Sequence, residues 1–410
     1  MNVARMKNFD ARNAELVPPQ ENNVELRDVD VVFGRKVKAA LALSDQGATR
    51  DQIRDRVGAL MGTCKVNLDV RQGEICVLMG LSGSGKSTVL RAINGLNPVA
   101  RGSVLVRHGG RPVDVTRCKS SILRDIRLQT VSMVFQQFGL LPWRSVRDNI
   151  GFGLEIRGLP TSERARIVDE KLAMVGLSTW ADKMVHELSG GMQQRVGLAR
   201  ALATEADILL MDEPFSALDP LIRDKLQDDL LDLQKKLHKT IVFVSHDLSE
   251  ALKIGSRIAI MEGGHVVQFG TPSDILLRPA NAYVAEFVKR INPLEVLNGD
   301  AFMTPASALE RHAGAVLLDP HGSMRLTLDE ADRPVRVHVG DREESFAPVD
   351  CLGEGGSPQG FIVAPTDLPL KVAIDLRRHS HYPIVFVDQI GRLAGLCDHT
   401  EIYRALLQKH

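Results

Sequence analysis

The chain has 410 residues, with 51 Lys and Arg against 51 Asp and Glu, 44% hydrophobic residues and 25% charged residues. That length predicts two or three domains with room for a sizeable core, and the composition excludes wholesale disorder. A formal net charge of zero argues against nucleic acid as the main partner, and the longest apolar runs (ICVLMGL, ILLM) fall far short of the roughly 18 residues that cross a bilayer.

Residues 1–23 are polar and are expected to form a flexible leader; Arg5 and Lys7 precede no apolar stretch, unlike a secretory signal. From VELRDVDVVFG onward, short apolar runs alternate with helical patterns, the mark of an α/β domain. LALSDQGATRDQIRDRVGAL (41–60) separates two strand-like stretches and reads as an inserted helix or loop. CVLMG (76–80), DILLMDE (207–213) and TIVFVSHD (240–247) read as buried strands of a mainly parallel sheet. Between the last two, Ile222, Leu226, Leu230, Leu233 and Leu237 recur at helical spacing, with Pro220 suited to the first turn and Asp219 to the cap. Pro272, Pro279 and Pro293 punctuate the next stretch, so a domain boundary is expected near 293. The remainder ends in a helical LKVAIDLRRHS, two strands, YPIVFVD and GRLAGLCD, and a helical HTEIYRALL. Cys64, Cys76, Cys118, Cys351 and Cys397 are scattered without CxxC spacing, which suits buried thiols in a reducing compartment.

Chemistry concentrates in three places. GLSGSGKST (80–88) follows a strand and opens a helix. Gly80, Gly83 and Gly85, with Ser82 and Ser84 between them, let backbone amides wrap phosphate oxygens, and the helix start at Lys86–Thr88 aims about half a positive charge at the same anion. Lys86 would reach the β- and γ-phosphates of ATP, and the Ser87 hydroxyl would take a place on Mg2+. Asp212 and Glu213 end a buried strand, where open α/β sheets place ligands. Asp212 is assigned to the metal and Glu213 to the base that polarises water. Alone, such a pair is often only a solvated turn; beside a phosphate loop it is not. In LSGGMQQR (188–195), Ser189 can cap a helix whose first amides Gly190 and Gly191 leave bare, a second anion-binding helix start.

The wording of LSGGMQQR, with the order of the other motifs, resembles the signature of ATP-binding cassette (ABC) ATPases. The resemblance implies a P-loop NTPase of ABC type over 24–292: a mainly parallel α/β core with an antiparallel β subdomain and a helical signature subdomain. It places Gln136 of VFQQFGLLPW at the Q-loop, as a metal ligand and catalytic residue. Ser216–Asp219 falls at the D-loop, with Asp219 near nucleotide. His246 stands at the switch position, donating to the γ-phosphate, and Phe33 is the candidate for stacking on adenine. By itself, a His after a strand is more often an ordinary loop residue. In this family two chains pair head to tail with two ATPs between them, the phosphate loop of one facing Ser189–Gly191 of the other.

Within the family, the insertion before the phosphate loop, MGLSGSGKST and the extension after GGHVVQFGTPSDIL look most like importers of glycine betaine, proline betaine and choline. LLPW at 140–143 departs from that pattern, its tryptophan being more typical of nitrate, sulfonate or taurine cassettes. Residues 293–410 resemble a CBS (cystathionine-β-synthase-type) regulatory or dimerisation domain, clean only over 368–408 and degenerate over 300–366. The expected partners are a second copy, transmembrane permease subunits and, indirectly, a substrate-binding protein, at the cytoplasmic face of the membrane; nucleic acid is not one. Two other readings stand beside this one. A soluble ABC ATPase of DNA repair or translation would predict coiled-coil or zinc-bearing insertions. An inactive scaffold would predict loss of Lys86, Asp212, Glu213 or His246, all of which are present.

Overall fold

The computed structural model of the chain describes residues 21–407 except 137–138, 217, 290, 313 and 350–359, so most of the expected leader, and Cys351, lie outside the described residues. The chain divides into an N-terminal unit that ends at Thr271 and a C-terminal unit that starts at Pro272, ahead of the Pro293 boundary suggested by the prolines.

Alternating apolar positions build the first layer of the N-terminal unit. β1 (Asn22–Phe33) buries Val24, Leu26, Val29 and Val31, and its first two residues belong to the stretch expected as leader. The 41–60 insertion is part of two helices, α1 (Val37–Asp45) and α2 (Arg50–Val57), that lead into β2 (Leu60–Arg71). Thr49 and Gln52 cap α2 reciprocally, and Gly58 closes it in the left-handed region at φ 68°. Under these helices Ala40 and Ile53 are buried with Ala59, Met61 and Cys64, a satellite core of the insertion's own.

Unbroken aliphatic runs build the second layer. β3 (Ile75–Met79) leads into α3 (Lys86–Ile93); β4 (Arg101–His108) and β5 (Arg111–Asp114) then return to the first layer before α4 (Ser120–Asp125). After β6 (Val131–Val134), helices α5 (Val146–Ile156), α6 (Thr161–Met174) and α7 (Gly190–Ala203) form a helical subdomain around Val146, Ile150, Leu154, Val168, Leu172 and Val196. β7 (Ile208–Asp212), α8 (Pro220–Leu237), β8 (Thr240–Ser245), α9 (Leu248–Ile254), β9 (Arg257–Glu262) and β10 (His265–Gly270) complete the unit. β3, β7 and β8 are buried at every position, as strands covered on both faces must be.

Two sheets result. One is antiparallel, ordered β2-β1-β4-β5; the other runs β10-β9-β3-β8-β7-β6 and is parallel apart from its β10 edge. Val24, Leu26, Val66 and Val104 of the first share one core with Leu78, Val89, Leu90, Leu210 and Val242 of the second sheet and α3. The parallel order places the C-terminal ends of β3, β7 and β8 side by side, which brings Gly80, Glu213 and His246 to one sheet edge.

The C-terminal unit begins with α10 (Pro272–Leu277), α11 (Ala282–Val288) and the single turn α12 (Gly299–Phe302). The expected helix, two strands and helix all form: β18 (Phe361–Pro365), introduced below with its sheet, precedes α13 (Leu370–His379), β19 (Ile384–Val387), β20 (Leu393–Cys397) and α14 (His399–Leu407). With β11 (Thr304–Pro305) and β17 (Phe346–Pro348) they make a sheet ordered β11-β20-β19-β18-β17. Where the sequence shows no legible repeat, the chain forms an antiparallel meander: β12 (Arg311–His312), β13 (Ala315–Leu317), β14 (Met324–Leu328), β15 (Pro334–Val339) and β16 (Arg342–Glu344). Polar turns set this course; Asp329, for example, accepts from the backbone of Ala331 and Arg333. Val316, Leu326 and Val337 of the meander pack against Phe361, Val385 and Leu396 of the other sheet.

One buried hydroxyl ties the two layers of the N-terminal unit. Thr240 Oγ1 accepts from Asn23 Nδ2 at 2.7 Å and from the Gly73 amide at 3.0 Å. Thr240→Val removes that acceptor in a site without solvent and is expected to destabilise the unit by about 1–3 kcal/mol in urea unfolding. Thr240→Ser keeps the oxygen and should lose only about 1 kcal/mol for the missing methyl.

Candidate functional site

Backbone geometry comes first, because the loop between β3 and α3 contains little else. Gly80 has φ 148°, and a Cβ there would lie 2.2 Å from the Met261 carbonyl; at Gly85 (φ 108°) it would lie 2.6 Å from the Gly62 carbonyl. Neither position tolerates a side chain. The loop's carbonyls are held from outside it or from its own helix. Lys86 Nζ donates to Gly80 O at 2.8 Å and Leu81 O at 3.0 Å, and the Gly264 amide donates to Ser84 O at 3.0 Å. Arg50 of α2 donates to Gly83 O at 2.8 Å, a contact from the insertion that the sequence reading did not include. Burial lowers the Lys86 pKa from its ordinary value, opposed by the charges of Glu213 and Asp212.

Behind the loop, the Ser87 hydroxyl donates to Asp212 Oδ1 at 2.7 Å, and Arg91 Nη2 donates to Asp212 Oδ2 at 3.1 Å. Asp212 has no exposed surface, and these two bonds give each of its buried oxygens a donor. Arg91 went unassigned from sequence, although the signal was there: it lies one helical turn after Ser87 and so shares its face of α3.

Glu213 sits just past β7 with φ 48°, a left-handed conformation rare for a residue with a side chain. Its amide donates to Val244 O and its own carbonyl accepts from Ser216 Oγ at 3.0 Å. Two predicted residues converge on one of its oxygens: Gln136 Nε2 donates to Oε2 at 3.1 Å, and His246 Nδ1 lies 3.3 Å from the same atom. Beside them is a pocket lined also by Phe215, Ser216, Arg223, Ser245, Asp247 and Glu250. Glu250 accepts from Ser245 Oγ and Gln227 Nε2, and burial raises its pKa. Arg223 reaches Leu218 O at 3.2 Å and Asp247 at 3.6 Å, tying the run before α8 to the turn after β8.

The remaining predicted residues stand as follows. Phe33 ends β1, 39% exposed, and its ring edge and the Thr88 methyl both crowd the space over Gly62; the adenine candidate therefore borders the phosphate loop despite the insertion. Ser82 and Gly83 are exposed at the loop tip, and Ser84 is buried. Ser189 caps α7 by accepting from the Met192 amide, and Gly190 and Gly191 open the first turn. α7 packs on α5, α6 and β6 within the helical subdomain, and at its capped end a Cβ on Gly191 would meet Leu218, in the run between Glu213 and α8, at 3.0 Å. Asp219 caps α8 by accepting from the Ile222 amide at 3.0 Å. Farther along α7, Arg200 Nη1 donates to Gly139 O at 2.7 Å, and buried Asn149 holds the backbone of Leu141, Arg144 and Ser145. Trp143 projects from that loop, 71% exposed.

The arrangement can grip a polyphosphate with amides and an ammonium, and it holds a carboxylate and an imidazole where a water would attack. The Ser87 hydroxyl and the Gln136 amide oxygen are hard donors of the kind that fit Mg2+, and Asp212, buried and bonded to Ser87, backs that hydroxyl from behind.

Comparison with known proteins agrees with this geometry. Residues 64–216 match the ABC transporter family. The chain is 40% identical over 391 residues to the glycine betaine/proline betaine transport system ATP-binding protein ProV of Escherichia coli, covering 94% of this chain and 95% of that protein. It is 38% identical to the glycine betaine transport ATP-binding protein OpuAA of Bacillus subtilis, over 91% of this chain and 90% of that one. A trimethylamine N-oxide transport system ATP-binding protein of Ruegeria pomeroyi is 45% identical over 67% of the chain and 79% of its own length. Among solved structures, a dimeric ATP-binding cassette in a post-hydrolysis state bound to ADP and Pi aligns with a TM-score of 0.52 at 30% identity, over 61% of this chain and 98% of that one.

Lys86→Ala removes the ammonium and the donor to two loop carbonyls. Affinity for a fluorescent ATP analogue should fall at least about tenfold, the worth of a charge-assisted hydrogen bond.

Proposed function

The chain belongs to the ABC transporter family, and from that premise we propose that it is the ATP-hydrolysing subunit of an importer for quaternary amines such as glycine betaine, proline betaine and choline. The observation that carries the substrate class is the extent of the likeness. Two betaine-transport relatives match 94% and 91% of the chain and so reach into the C-terminal unit, whereas a glycine betaine/carnitine relative and the trimethylamine N-oxide relative match 69% and 67% of it. Nothing in this chain would touch the solute; permease subunits in the membrane and a substrate-binding protein outside it would do so. No helix among the described residues is long and apolar enough to cross a membrane, which fits a subunit that docks peripherally on the cytoplasmic face.

In this reading Phe33 stacks on adenine and the amides of Gly80–Thr88 hold the phosphates, with Lys86 moving from its carbonyl partners toward the β- and γ-oxygens. Ser87, Gln136 and Asp212, the last directly or through Ser87 and water, would hold a Mg2+ ion, which would offset charge on the phosphate oxygens. Glu213 accepts a proton from the water that attacks the γ-phosphorus, and the bond to the β–γ bridging oxygen breaks. His246 steadies the γ-phosphate by a hydrogen bond, and Gln136 reports on the same carboxylate. Ser189, Gly190 and Gly191 of a second copy close the site from the other side, with Asp219 and the run before it at the seam. The C-terminal unit acts as a regulatory or dimer-stabilising module in which one CBS-like βαββα unit is covered by the meander.

Two experiments test the proposal. Glu213→Gln should bind ATP, elute as a dimer with nucleotide and release phosphate at least about a hundredfold more slowly than wild type, the usual share of a general base. Turnover close to wild type would remove Glu213 from that role. Deleting the gene in its host should abolish ATP-dependent uptake of radiolabelled glycine betaine or choline; undiminished uptake of both, with loss of another solute, would overturn the substrate class.

A further inference from the structure

We propose that Arg50, carried by the inserted helices, is a positioning residue of the phosphate loop: it holds the Gly83–Ser84 peptide with its carbonyl outward and its N–H turned into the anion cradle. The proposal rests on the ATPase reading above and adds a residue to it from a segment that reading leaves without a role.

The peptide plane supplies the mechanics. Carbonyl and N–H of one trans peptide point in opposite directions, so fixing one fixes the other. Arg50 Nη1 donates to Gly83 O at 2.8 Å, while the Ser84 N–H of the same peptide closes a turn on the loop's own Leu81 O at 3.1 Å, on the side away from Arg50. Gly83 has φ 78°, and a Cβ built on it would meet nothing within 4 Å. This peptide therefore stands at an open loop tip where two hydrogen bonds, one at each end, set its orientation in place of packing, unlike Gly80 and Gly85, which are wedged against backbone. With Arg50 removed only the 3.1 Å turn bond to Leu81 O holds it, and a flipped peptide would present its carbonyl to the phosphates.

The insertion is built to hold that guanidinium still. Arg50 is the first residue of α2, inside the Thr49–Gln52 capping box, and Ile53 one turn on is buried in the satellite core. At the other end of the pair, Asp45 of α1 binds Arg101 (2.6 and 3.0 Å) and Lys65 (3.1 Å), and Arg101 also reaches buried Asp30 at 2.6 Å. Those cations hold the Asp45 carboxyl down to about 2. Arg50 is half-buried: its Nε is covered with no hydrogen-bond partner among the described residues, while Nη1 makes the Gly83 contact. A planar guanidinium is a directional donor, which a lysine reproduces only in part.

The test measures affinity and turnover separately on the full-length protein. Arg50→Ala should raise the Kd for a fluorescent ATP analogue and the KM for ATP by about three- to tenfold, less than the full worth of a charge-assisted hydrogen bond because Arg50 acts on the ligand through the loop, with kcat at saturating ATP within about twofold of wild type. Arg50→Lys should recover most of the affinity. Unchanged Kd and KM in Arg50→Ala would overturn the assignment. So would a loss of kcat and thermal stability shared equally by the Ala and Lys variants, since that pattern belongs to a collapsed insertion. Wild-type protein that fails to bind or split ATP would instead sink the ATPase reading itself.

Discussion

A loop that wraps an anion must turn its amides inward, and each carbonyl that is thereby turned outward needs a donor from elsewhere. Much of this N-terminal unit is organised around that requirement. Lys86 serves Gly80 and Leu81 from the first turn of the following helix, the Gly264 amide serves Ser84 from the β9–β10 turn, and Arg50 serves Gly83 from the insertion. The Gly264 turn is itself pinned, its carbonyl accepting from the Cys64 amide of β2. Donors from three separate segments thus converge on a loop a few residues long. The antiparallel layer is part of the nucleotide site as well as a cover for the core.

The acidic side of the site follows a different economy. Asp212 is sealed and satisfied by Ser87 and Arg91, which suits a group that stays in place. Glu213, one residue later, is partly open, sits in a strained backbone conformation and shares one oxygen between Gln136 and His246. Strain of this kind, on the order of 1–3 kcal/mol, persists only where surrounding structure enforces it, and here the Val244 carbonyl and the Ser216 hydroxyl do so. Adjacent acids are thereby separated into a fixed one and an adjustable one.

How much of this the sequence discloses depends on how local the cause is. β3, β7 and β8 are legible because a strand covered on both faces is written as an unbroken aliphatic run, and the phosphate loop because glycine spacing and a lysine are its whole mechanism. Ser189 and Asp219 are legible as caps for the same reason: each acts on an amide three residues away. Arg50 is not, since its partner lies 33 residues along the chain and the meeting depends on two helices packing over Met61 and Cys64. The meander is hidden for another reason. Its strands are two to six residues long and half exposed, so their alternation is too short to stand out, and only their turns carry a signal.

The α7 helix has a mechanical side. Its Arg200 is fastened to the backbone of Gly139, at the base of the loop that Asn149 stiffens and from which Trp143 projects. Ser189 stands at the far end of the same helix, about 16 Å away at 1.5 Å per residue. A rod clamped to a stiff lever transmits displacement without needing to bend. In the reading proposed above, a push on Trp143 from a neighbouring body would be carried along α7 to Ser189.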